Sequence, residues 1–234
     1  MIYVTIHVHS PPATIAMEAI LTGLGSVVKN LSNENYAQSF ASYRFWFGIG
    51  RTYHRISSDQ IFDTIWDNRP TGLLNPSSSG FVHSTAHLFI RFTSDAESDQ
   101  LLAPHSSGLQ NRLCARTLRE FFDNNLRAVD HGDMGNLYAD ANLIAHWANL
   151  GYVEEAAIRN LILQSLISHP RPYDHQMHAL IILFKLAGAT FRAYADPSVV
   201  DRCFKLLDGH HHCTSVEWGL IQVRMPHSES WLLG

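Results

Sequence analysis

Residues 137–207 read LYADANLIAHWANLGYVEEAAIRNLILQSLISHPRPYDHQMHALIILFKLAGATFRAYADPSVVDRCFKLL. Apolar residues recur there every three or four positions, which is the spacing of an α-helix with one buried face. Four helix-ending or helix-starting signals separate these runs: Gly151, Pro170, Gly188 and Asp196-Pro197. The stretch therefore predicts consecutive amphipathic helices, and it indicates a mostly α-helical chain.

A similar pair of helices occurs twice in this stretch. Leu150-Gly151 and Ala187-Gly188 each end a predicted first helix, and the apolar runs of the two second helices recur at a similar distance. A helix at about 109–129 precedes the 153–167 helix by a comparable interval. This pattern resembles HEAT or armadillo repeats over residues 109–208. The resemblance implies helical hairpins stacked as a short α-solenoid; the alternative is a single irregular helical bundle.

The N-terminal part of the chain predicts further helices and one strand. Strict alternation over residues 1–9 predicts a short N-terminal β-strand. Aromatic residues at 36, 40, 43 and 47 predict the core face of a helix, which Gly48-Ile49-Gly50 is expected to end. Residues 68–80 are rich in Pro, Gly and Ser and predict a loop, whereas residues 81–92 are expected to be helical.

These patterns give a predicted division of the chain into three parts. Residues 1–75 form an N-terminal helical segment with the leading strand, residues 81–209 form the helical-hairpin domain, and residues 210–234 form a C-terminal extension. A single domain that includes all three parts is the alternative.

Composition restricts the classes of partner. Of 234 residues, 46% are hydrophobic and only 16% are charged, which is typical of a globular protein. The net charge of −4 favours neither nucleic acid nor an anionic membrane as a partner, and no run of about 20 apolar residues predicts a transmembrane helix. Three cysteines without a CxxC pair predict reduced thiols in an intracellular, cytoplasmic protein.

Fifteen histidines raise the question of a metal site. Cys203, His210, His212 and Cys213 combine the ligand types of a tetrahedral zinc site, so zinc is the one cofactor that the sequence suggests. The competing interpretation is a polar loop that follows a buried structural cysteine. His7 and His9 resemble the HxH opening of amidohydrolases, but no barrel pattern follows them, and a solvated strand face is preferred.

Two further histidine pairs have spacings that suit one helix face. They are His83 with His87 and His175 with His178, and neither has the glutamate of a zinc-protease motif. A metal-dependent hydrolase that uses clustered histidines is therefore the alternative function, and the signatures of serine hydrolases, phosphate-binding loops and kinases are missing.

Arg112, Arg116 and Arg119 recur at helical spacing and predict a surface that binds acidic peptides or phosphates. Glu120 and Asp123 lie beside them and favour the competing interpretation, a solvated face with local ion pairs. Taken with the predicted helical hairpins, the sequence favours a non-enzymatic protein–protein interaction or scaffold domain whose partner is another protein or peptide.

Overall fold

A computed structural model of the chain describes residues 13–53, 56–70, 79–131, 135–208 and 210. These residues form α-helices, one π-helical turn and connecting segments, and no strand occurs among them. The predicted mostly α-helical fold class is therefore confirmed. The predicted strand at residues 1–9 lies outside the described residues, as do residues 71–78 of the predicted loop and residues 211–234 of the predicted extension.

The chain divides into two compact units. The first comprises the residues up to Thr71 together with Phe92–Leu109, and the second comprises Gly72–Arg91 and the residues from Gln110 onward. The helices of the first unit are α1 (Ala13–Lys29), α2 (Tyr36–Tyr53), α3 (Ser58–Asp67), the second half of α4 (Ser79–Ser98) and α5 (Ala103–Ser106). The second unit contains the first half of α4, α6 (Leu109–His131), α7 (Gly135–Asn149), α8 (Glu155–Ala157), a π-helical turn (Ile158–Ile162), α9 (Leu163–Ile167), α10 (Asp174–Tyr194) and α11 (Pro197–Leu207).

The predicted aromatic stripe of α2 forms the core of the first unit. The rings of Tyr36, Phe40 and Tyr43 all meet Phe92 edge-on, with ring centroids 5.1–6.5 Å apart. Tyr43 is 1% exposed and Phe47 is 3% exposed, so the prediction of a core face is confirmed.

The prediction that α2 ends at Gly48-Ile49-Gly50 is wrong, because the helix continues to Tyr53. A Cβ atom on Gly50 would overlap Ile56 Cδ1 and come within 3.1 Å of Ile20 Cγ2. Glycine at this position therefore permits close packing of neighbouring segments and does not terminate the helix.

Apart from its part of α4, the second unit is built from two layers of helices. α6 runs antiparallel to α7, because Trp147 Nε1 donates to Gln110 Oε1 (2.7 Å) near one end and Asn124 Nδ2 donates to Asp140 Oδ2 (2.7 Å) towards the other. We call α7 and α10 the first layer. The second layer consists of α6, the continuous helical stretch 155–167 and α11.

α7 lies parallel to α10, and α6 lies parallel to the 155–167 stretch. In the first layer, Tyr138 of α7 packs on His178 of α10 with ring centroids 4.9 Å apart. In the second layer, Asn125 Nδ2 of α6 donates to the Ser165 carbonyl of α9 at 3.1 Å. Both pairs are separated by 40 residues in sequence, which agrees with the spacing of the helix pairs in the sequence.

The two glycines predicted to end helices of this unit have different outcomes. Gly151 has a φ of +77° just after the end of α7, as a C-terminal glycine should. The stop predicted at Gly188 coincides with a break in helical geometry at Ala187 (φ −132°, ψ 25°), but α10 continues beyond this kink to Tyr194. Asn149 bridges this kink: its Nδ2 donates to the Leu186 carbonyl (2.8 Å) and its Oδ1 accepts from Thr190 Oγ1 (2.7 Å). A side chain from the neighbouring helix thus holds groups on both sides of the kink.

Among the described helices, none has the length and apolar character that crossing a membrane requires.

Candidate functional site

A groove lies between α9 and α11 in the second layer. Its volume is about 290 Å³, and its walls are formed by Gln164, Ile167, Ser168, Ser198, Val199 and Arg202. This volume is near the lower end of the range of small-molecule pockets, about 300–1,000 Å³. The groove is therefore the right size for one or two side chains of a bound segment.

Local sequence chemistry positions the α11 wall of the groove. Asp196 begins the helix as its N-cap, since its Oδ1 accepts from the backbone N–H of Ser198 at 2.8 Å and from Ser198 Oγ at 2.6 Å. This confirms the predicted start of α11. Val200, Cys203 and Leu207 form its buried face, which leaves Ser198 and Arg202 on the opposite face.

The α9 wall follows directly after the π-helical turn Ile158–Ile162. Turns of this kind interrupt α-helices at functional sites more often than elsewhere. Leu161, in this turn, is 53% exposed and lies one helical turn before Gln164. The exposed side of the 155–167 stretch thus combines an apolar side chain with the polar residues of the groove.

The groove combines an apolar floor with a cation. Ile167 is 2% exposed and Val199 is half-buried. Arg202 is exposed and forms no ion pair with any described residue, and no described carboxylate lines the groove. An apolar side chain could thus pack on the floor while a carboxylate next to it binds the guanidinium.

The two serines of the groove present oxygen lone pairs. Ser168 Oγ donates to the Ser165 carbonyl at 3.3 Å, and the Ser198 hydroxyl proton goes to Asp196. Because both hydroxyl protons are already used, these oxygens accept hydrogen bonds from a ligand. Backbone N–H groups of an extended peptide are donors of the required kind.

The four residues of the predicted zinc site are described only in part. Cys203 is fully buried, and burial raises the pKa of its thiol to about 12. His210 is half-buried, and its Nε2 lies 3.6 Å from Asp174 Oδ1. His212 and Cys213 lie outside the described residues. The zinc site therefore stays a prediction.

His87, His175 and His178 do not belong to a ligand set in the described part of the chain, and the side chain of His83 lies outside the part that the structure describes. His87 is exposed, and its ring packs on His146 with centroids 5.7 Å apart, whereas His178 packs on Tyr138. In the ranges that the structure describes, no three His, Cys, Asp or Glu side chains converge in a way that could hold a metal ion. His7 and His9 lie outside those ranges.

His175 belongs to an aromatic cluster at the start of α10. The ring of Tyr173 lies between His169 and His175, with centroid distances of 5.8 and 5.5 Å. His175 is 4% exposed, and its Nε2 has no hydrogen-bond partner among the described residues. Burial lowers the pKa of His175, and the Asp174 carboxylate opposes that shift. The buried imidazole therefore favours its neutral form.

The predicted arginine stripe lies on the outward side of α6, away from the buried Leu113 and Phe121. Arg116 Nε is 2.9 Å from Glu120 Oε1, which is an ion pair of the kind that the competing interpretation expected. Arg119 is exposed, and Arg112 is partly exposed.

Sequence reasoning missed the groove. Its polar walls are two pairs at i and i+4, Gln164 with Ser168 and Ser198 with Arg202. This spacing places each pair on one helix face, which is visible in the sequence. However, nothing local indicates that the two faces meet, since the pairs belong to different helices with the whole of α10 between them.

The second unit thus presents stacked helices with an open groove between two of them. No protein family model, no curated protein and no solved structure matches this chain. The geometry of the groove and its surroundings is therefore the basis on which a function is proposed.

Proposed function

We propose that this chain is a non-enzymatic protein-interaction domain that binds a peptide segment of its partner in the groove between α9 and α11. The observation that carries the proposal is Arg202, which forms no ion pair with any described residue, beside the apolar floor of Ile167 and Val199. A peptide that contains an aliphatic or aromatic residue close to Asp or Glu is complementary to both features. The serine oxygens of the groove would accept hydrogen bonds from its backbone.

The architecture of the second unit supports a scaffold role. Contacts between equivalent helices recur at a nearly constant interval along the chain, such as Asn125 with Ser165 and Asn149 with Thr190. We therefore propose a HEAT- or armadillo-like helical repeat, a class whose stacked hairpins present extended binding surfaces. Cys114 and Cys203 are free thiols, which supports a reducing, cytoplasmic location.

Selection from a library of short random peptides against the full chain tests the proposal. We expect enriched peptides to pair an acidic residue with a nearby aliphatic or aromatic one. Arg202→Glu should weaken their binding about 10- to 100-fold, because a charge-assisted hydrogen bond contributes roughly 1.5–3 kcal/mol. Val199→Asp should also weaken it, because it places a charge on the apolar floor.

Lys29→Glu is the matched control, since Lys29 is an exposed cation on α1 in the other unit. Circular dichroism establishes that each variant is folded. Selected peptides that bind the Arg202→Glu and Val199→Asp variants as tightly as the wild type would refute the groove as the binding site.

Metal-dependent hydrolysis is the alternative function. Stoichiometric zinc in protein purified without a tag, lost when His212 and Cys213 are changed to Ala, would favour it.

A further inference from the structure

We propose that the segment bound in the groove is acidic along its length and continues across the second layer, from α11 over the 155–167 stretch to α6. This inference rests on the proposed function, because the groove holds one end of the segment. It follows from basic side chains and exposed leucines on three adjoining helices.

The three helices lie side by side. Two contacts place α6 against the 155–167 stretch and the segment just before it. Asn125 Nδ2 donates to the Ser165 carbonyl (3.1 Å), and Cys114 Sγ donates to the Tyr152 carbonyl (3.7 Å). The groove joins the same stretch to α11. Packed helices are about 8–10 Å apart, so the path from the groove to α6 is roughly 15 Å. About five extended residues cover that distance at roughly 3.3 Å each.

The second layer presents unpaired cations. Its helices contain seven basic and five acidic residues, and three acidic caps, Glu154, Asp196 and Asp208, flank them. Four of the basic side chains are exposed and form no ion pair within the described part of the chain: Arg119, Arg127, Arg202 and Lys205. A surface of this kind attracts an acidic partner.

Exposed leucines favour a protein segment over a partner that binds through charge alone. Leu126 of α6 is 68% exposed and Leu161 of the π-helical turn is 53% exposed, and both lie in the layer that presents these cations. Large apolar side chains at such positions contribute to binding when a partner covers them. The occupant that fits both features is an acidic protein segment with interspersed aliphatic residues, not a nucleic acid or a lipid surface.

Two synthetic peptides built from one repeat unit test the extension. The shorter contains the unit Glu-Leu-Ser-Asp once, which spans about 13 Å when extended and fits the groove, whereas the longer contains it five times and can reach α6. Because contacts on one ligand act together, we expect the longer peptide to bind the wild type about tenfold or more tightly. The double variant Arg119→Glu/Arg127→Glu should abolish this gain and leave the affinity for the shorter peptide unchanged.

The control Lys29→Glu/Arg44→Glu makes the same change in net charge on the other unit, where it also breaks the Arg44–Asp99 ion pair (3.1 Å), and it should retain the gain once circular dichroism shows that it is folded. Equal affinity for both peptides, a gain that survives the α6 double variant, or no binding of the longer peptide would overturn the extension. Tighter binding of a single-stranded polyuridine RNA or of phosphatidylserine vesicles would also overturn it. None of these results tests whether a peptide binds in the groove. The Arg202→Glu variant and the random peptide library test that separately.

Discussion

Asn125 links three helices of the second unit, and its removal gives a sharp test of the packing. The side chain is 5% exposed; its Nδ2 donates to the Ser165 carbonyl at 3.1 Å and its Oδ1 accepts from Gln176 Nε2 at 2.9 Å. Gln176 is itself 4% exposed. Changing Asn125 to Ala therefore leaves the buried Gln176 Nε2 donor without a partner, whereas the Ser165 carbonyl keeps its hydrogen bond from the Ser168 hydroxyl (3.3 Å).

The expected magnitude follows from these two bonds. The orphaned Gln176 donor costs about 1–3 kcal/mol and the lost bond to the Ser165 carbonyl roughly 0.5–1.5 kcal/mol, so Asn125→Ala should lower the free energy of unfolding by about 2–4 kcal/mol. Urea denaturation followed by circular dichroism measures this loss. Asn111→Ala is the control on the same helix, because Asn111 is exposed, and it should change stability by no more than about 0.5 kcal/mol.

A double-mutant cycle with Gln176→Ala isolates the bond between the two amides. Since the side chains are in direct contact, we expect a coupling free energy of about 1 kcal/mol. A destabilisation by Asn125→Ala no larger than that of Asn111→Ala, or effects of Asn125→Ala and Gln176→Ala that are simply additive, would refute this account of the interior.

Three further outcomes are expected. Gly23→Ala should destabilise the chain by about 1–3 kcal/mol in urea denaturation, because its Cβ would lie 2.7 Å from Trp46 Cε2, and the same change in a Trp46→Leu background should cost less. The pKa of His175 is lowered by burial, so the unfolded chain binds this proton more readily. The stabilising contribution of neutral His175 should therefore be full above the unfolded pKa of about 6.5 and decrease as the pH falls below it. In urea titrations between about pH 7 and pH 5, the free energy of unfolding of a His175→Gln variant should depend less on pH. Burial raises the pKa of both Cys114 and Cys203 to about 12. At about pH 8, no more than one of the three thiols should therefore react with Ellman's reagent before unfolding. Rapid reaction of two thiols would contradict the burial of Cys114 and Cys203.

Features that depend on local chemistry could be predicted from the sequence. The capping box of α3 joins residues three positions apart, with Gln60 N–H donating to Ser57 Oγ at 3.1 Å and Ser57 N–H donating to Gln60 Oε1 at 2.9 Å. Asp196 likewise caps α11 through groups only two residues away. The aromatic stripe of α2 was also predictable, because its periodicity alone indicates a buried face.

Features that depend on contacts between distant residues could not be predicted. Gly188 follows a kink within α10. Asn149, from another helix, forms hydrogen bonds with the Leu186 carbonyl and the Thr190 hydroxyl on either side of this kink. Gly50 lies within α2 because Ile20 and Ile56 approach it closely. The groove could not be predicted for the same reason, since its two walls come from helices that are adjacent in space and separate in sequence.

The binding of a selected peptide in the groove is tested most directly by methyl NMR spectroscopy of the 26.4 kDa chain. The methyl groups of Ile167 and Val199 are reporters within the groove, and those of the fully buried Ile144 and Leu183 are controls. We expect saturable shifts of the Ile167 and Val199 signals as an acidic peptide from the random library is titrated, with little change at the controls. Unchanged Ile167 and Val199 signals at saturation, with shifts confined to other parts of the chain, would contradict the proposed site.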